Sequence, residues 1–161
     1  MASQLPPSPC GWFAISRHSP PPRPPHSSRT DAAVFAADIV PQAYYHHFHP
    51  DLKTYIGRTE SLALAAAPFS APAQFRNRSF IHFTDSTTAL SLFVHGYAAR
   101  ADCAHLVNQY YLLGASLRFR PFFEWVPSEA NIADLPSRGQ FQAMLDIIPA
   151  RRIPFVYPPL Q

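Results

Sequence analysis

Proline fixes its own φ and removes a backbone donor, so the placement of prolines decides where this chain can build helix or ladder. Eight of the 19 fall in residues 1–30, "MASQLPPSPCGWFAISRHSPPPRPPHSSRT", with six serines, three arginines and no acid. That stretch is expected to be an extended, disordered arm in which "GWFAIS" (11–16) is the one strand-like run. Its acid-free composition also fits an organelle transit peptide, but the proline density counts against the amphipathic helix such peptides form. The last residues, 151–161, read as an extended, Pro-containing tail. One folded domain is expected between them, over 31–150, because 161 residues with 47% apolar content can build a core.

Thirteen Lys plus Arg against 10 Asp plus Glu, with Lys53 the single lysine, is a mild Arg-borne excess. It suits phosphate contact and ordinary surface pairing alike. Cys10 and Cys103 form neither a disulfide framework nor a CxxC site, so a reducing compartment, nuclear or cytoplasmic, is expected. No apolar run approaches the roughly 20 residues a bilayer-spanning helix requires.

"AAVFAADIV" (32–40) reads as a strand between Asp31 and Pro41. "TYIGRTESLALAAA" (54–67) reads as a helix that Pro68 should end. "SFIHFTD" (79–85) reads as a buried strand on Phe80, Ile81 and Phe83, and "STTALSLFVHG" (86–96) as a helix stopped by Gly96. A helix over "CAHLVNQYYLLG" (103–114) would be capped by Asp102. "LRFRPFFEWVP" (117–127) reads as a strand with Arg118, Arg120 and Glu124 on one face, and "ADLPSRGQFQAMLDII" (133–148) as two helical pieces split near Gly139. The order is that of an α/β domain.

Asp85 ends one of these strands and Asp134 follows the next. In an open α/β sheet the loops at the carboxyl ends of parallel strands share one edge, which would bring the two carboxylates together. Glu60, on the preceding helix, can reach the same edge. Taken singly, each is accounted for as a cap or a solvated helix position; three converging carboxylates are what a hard divalent cation needs. Other candidates are weaker. His46, His47 and His49 lack a fourth zinc ligand at a usual spacing. Phe122, Phe123 and Trp125 suit a core as well as base stacking.

Taken together, "RTESLALAAA", "FIHFTDSTTALSLFVHGYAARADCAHLVNQYY" and "FFEWVPSEANIADLPSRG" resemble the ribonuclease H domain that follows reverse transcriptase in retroelements, over about residues 32–140. The resemblance implies a ribonuclease H-like mixed sheet flanked by helices. It also implies an endonuclease that cuts RNA in RNA–DNA hybrids with two Mg²⁺ ions held by acidic side chains. On the matching positions it makes Glu60, Asp85 and Asp134 catalytic metal ligands. Arg138, in the closing motif, joins Arg118 and Arg120 as expected nucleic-acid contacts.

The family's domain opens with a hairpin whose central strand supplies a further Asp bridging both ions. No acid-bearing strand stands ahead of "AAVFAADIV" here, so a domain missing its first strands, with reduced or absent cleavage, is expected. The alternative is a non-catalytic nucleic-acid-binding or interaction module of the same fold. The sheet edge left open on "SFIHFTD" would be covered by "AAVFAADIV", the favoured outcome, or by "GWFAIS" folding back as a surrogate strand, or would drive self-association.

Overall fold

Strand and helix alternate in the computed structural model, which describes residues 9–14, 33–48 and 55–160. In chain order the elements are β1 (Pro9–Ala14), β2 (Ala33–Ile39), α1 (Gln42–His47), α2 (Ile56–Ser70), α3 (Pro72–Phe75), β3 (Ser79–Thr84), α4 (Thr87–His95), α5 (Ala101–Leu117), β4 (Arg120–Trp125), α6 (Asp134–Ser137), α7 (Phe141–Ile147) and β5 (Ala150–Arg152). The α/β class is as expected. The single mixed sheet is not, because the strands form two sheets. In one, β1 pairs antiparallel with β2, Trp12 opposite Ala36, and β5 pairs parallel with β2, Ala33 opposite Ala150. In the other, β3 and β4 run parallel from Ser79 opposite Arg120 to Thr84 opposite Trp125. Since β1 and β5 take both edges of β2, that strand does not cover β3 as expected.

Helix α2 lies at the centre. Its residues from Arg58 to Pro68, apart from Glu60, are buried, as befits a helix apolar nearly all round, and it packs on β1, α4 and α5. Pro68 sits inside the helix rather than after it. A proline here removes one ladder donor, and the last turn is closed by the Ala71 amide donating to the Ala67 carbonyl at 3.1 Å and by Ser70 Oγ donating to the Ala66 carbonyl at 2.9 Å. Buried Arg58 ties α2 to α5 through Asp102 Oδ2 at 2.8 Å.

Helix α4 begins with Ser86 Oγ accepting from the Ala89 amide and ends at Gly96, φ 71°. Helix α5 begins before Asp102, which lies in its first turn rather than capping it, and runs past Gly114 to a left-handed Arg118. Gly114 lies inside the helix, where the Phe119 ring occupies the space of a side chain: a Cβ there would stand 2.8 Å from that ring.

Two further expectations are corrected, and the C-terminal stretch gains a detail. Residues 9–14 are not part of a disordered arm: they form β1, with Cys10 and Trp12 buried, and the rest of 1–30 lies outside the described residues. Strand β3 is half-buried, since Phe80, His82 and Thr84 turn inward while Ile81 and Phe83 are 53% and 59% exposed. The C-terminal stretch is extended but packed. The Val156 amide donates to Ser70 Oγ at 2.8 Å, the Tyr44 hydroxyl donates to the Pro158 carbonyl, and the Tyr157 hydroxyl to the Ile39 carbonyl at 3.1 Å.

Candidate functional site

The two sheets leave a cavity of about 720 Å³ between them, lined by β1, the inner stripe of α2, β3 and the segment around α6. Glu60, Asp85 and Asp134 all line it, and among the described residues they are its only carboxylates. Parallel pairing of β3 with β4 is what brings Asp85 and Asp134 to the same end, because each follows the carboxyl end of one of these strands.

Each acid is held differently. Asp85 Oδ1 accepts from Asn131 Nδ2 at 2.9 Å, and its backbone carbonyl accepts from Trp125 Nε1 at 3.3 Å. Asn131 also positions the next turn, its Oδ1 accepting from the Ala133 amide and its carbonyl from the Asp134 amide. Asp134, first residue of α6, pairs with Arg138 Nη2 at 2.9 Å. That guanidinium is largely exposed, so the pair is weak. Burial pushes the Glu60 carboxyl above its usual range. A hydrogen bond with Ser86 pulls it back, and the nearby Asp85 and Asp134 carboxylates push it up again.

The donors are hard oxygens, the kind that suit Mg²⁺. They are not gathered into a tight cage, and among the described residues no three His, Cys, Asp or Glu side chains stand close enough together to grip one ion. Mg²⁺ keeps several waters and is commonly bound through one or two carboxylates, so the donor set fits an ion held partly through water.

The expected arginine set divides. Arg138 is at the cavity, whereas Arg120 opens β4 at the opposite end of that strand and Arg118 caps α5 in a left-handed turn, off the strand altogether. Sequence reading overlooked Arg76 and Arg78, which the Asn77 amide to Leu117 carbonyl and Arg120 amide to Arg78 carbonyl bonds place beside Arg118 and Arg120. It also gave no role to Asn131, although that residue lies in the closing motif. His46 and His47 lie on α1, and His49 lies outside the described residues. Phe122 and Trp125 are exposed rather than core. No helix is long and apolar enough to cross a membrane among the described residues.

No family model, curated protein or solved structure matches the chain.

Proposed function

We propose that this chain is a ribonuclease H-like domain in which Glu60, Asp85 and Asp134 hold a divalent cation, partly through its waters, beside bound nucleic acid, with cleavage of RNA in a hybrid reduced or lost. One observation carries the reading: three carboxylates, on α2, just after β3 and at the start of α6, line one cavity at the carboxyl end of a parallel strand pair. When bound, such ions activate water and steady a leaving oxygen. The chain's own residues orient the donors: Asn131 fixes the rotamer of Asp85, Ser86 holds Glu60, and Arg138 restrains Asp134. Arg76, Arg118 and Arg120 form a basic group at the other end of β4 from the carboxylates, suited to the phosphates of a duplex that extends beyond the cavity. Low turnover is the expectation, since three carboxylates, one of them partly neutralised, make a weaker charge cage than a two-ion site needs.

The test is a labelled RNA–DNA hybrid incubated with the full chain and Mg²⁺ or Mn²⁺. Cation-dependent binding that Asp85→Asn weakens, with slow or no cleavage, is the expected result. Binding indifferent to cation, and equal for hybrid and duplex DNA, would count against it. The non-catalytic reading has its own support in the Arg138–Asp134 pair, which occupies a donor. Arg138→Ala separates the two, tightening cation binding in the first reading and changing only nucleic-acid affinity in the second.

A further inference from the structure

Five consecutive residues of β3, Phe80 to Thr84, line the cavity, and so do three consecutive residues of β1, Cys10 to Trp12. Neighbours along a strand point to opposite faces, so a cavity touching every residue in a run lies along the strand's edge and not on one face. β3 bonds only to β4 and β1 only to β2 among the described residues, so each presents an unpaired edge towards this space. Its floor is Ile56, Thr59, Glu60, Ala63, Leu64 and Ala67 of α2, a helical stripe of alternating three- and one-residue steps. That stripe is about 17 Å long at 1.5 Å per residue, close to the length of a six-residue strand at about 3.3 Å per residue. A strand of that length, about 4.8 Å wide and about 10 Å thick, sweeps on the order of 1000 Å³, comparable with the cavity's 720 Å³. Trp12 Nε1 and His82 Nε2, on residues of opposite walls, are buried without a hydrogen-bond partner among the described residues.

We infer that this lane takes one extended strand of about six residues from another polypeptide, pairing with β1 and β3 at once and joining the two sheets into one. Small Ala63 and Ala67 in the floor leave room for branched apolar side chains on the strand's inner face. At the far end Glu60, Asp85 and Asp134 face Arg138 as the sole basic side chain in the lining besides His82, so charge complementarity calls for a Lys or Arg at that end of the strand. The chain's own segments outside the described residues do not qualify, since none has six consecutive proline-free residues alternating apolar and polar. The strand's basic end would meet the same three carboxylates that are proposed to hold a cation, so strand and cation compete there, whereas backbone pairing with β1 and β3 needs no cation.

The experiment uses the full chain with EDTA present, and acetylated, amidated peptides of alternating valine and threonine with one arginine at either end. Amide exchange should slow at least tenfold on both β1 and β3 with one of these peptides. A peptide with proline at alternate positions should give no protection, and replacing its arginine with aspartate should weaken binding at least tenfold. Protection of neither strand or of one sheet alone, or equal binding of the aspartate peptide, overturns the inference. So does peptide-free protection of both strands that grows with protein concentration, which would make the occupant a second copy. Because EDTA removes any cation, failure here and failure of metal binding are separate results.

Discussion

Glu60 and His82 are half-buried ionisable groups with opposite leanings, and their effects on stability run in opposite directions with pH. The His82 imidazole packs among Phe75, Phe80, Tyr110 and Phe123, and burial lowers its pKa from 6.5 to about 3. Its contribution is therefore full above pH 6.5 and is lost as pH falls toward 3. Glu60 is shifted up from 4.5, so its contribution is full below that value and is lost as pH rises through the raised pKa. Denaturant midpoints across pH should show His82→Phe flattening the acid limb, and Glu60→Gln raising the midpoint at pH 7 with no gain at pH 4. At this scale the sequence brought Asp85 and Asp134 to one edge because each follows a strand, where chain order constrains position, and Glu60 joined them as a helix residue able to reach that edge. It could not identify Asn131 as the partner of Asp85, since a hydrogen bond across 46 positions depends on how the loop before α6 folds.

Among the elements, α5 shows where local rules yield to packing. The sequence places this helix over 103–114, but it continues to Leu117, with the Phe119 ring lying against Gly114. Gly114→Ala would raise helix propensity and yet should destabilise by about 1–3 kcal/mol in chemical denaturation, because the added methyl overpacks a buried ring. Asp102→Asn should cost about 3 kcal/mol or more, leaving the Arg58 guanidinium without its carboxylate in a buried place. Strand β1 was legible as "GWFAIS", but its incorporation was not: prolines on both sides argue for a loose arm, while burial of Cys10 and Trp12 against α2 and pairing with β2 outweigh them. Trp12→Ala is expected to lower stability by about 3–5 kcal/mol, readable as a shift in thermal midpoint. Strand β3 was misread as fully buried because apolar residues on both faces cannot say which face a sheet leaves open.

For the whole molecule, the split into two sheets matters most, and it was beyond reach of the sequence. Strand order depends on which edges compete, and β2 pairs with β1 and the three-residue β5, so β3 is left with one partner. The same split opens the cavity that Glu60, Asp85 and Asp134 share. That these three act as one cation site is the central claim, and Mn²⁺ titration followed by electron paramagnetic resonance tests it most directly. Asp85→Asn and Asp134→Asn should each weaken binding about tenfold or more. The double variant should lose less than the sum of the two, as expected for donors to one ion. Wild-type binding no tighter than that of the double variant would contradict the account.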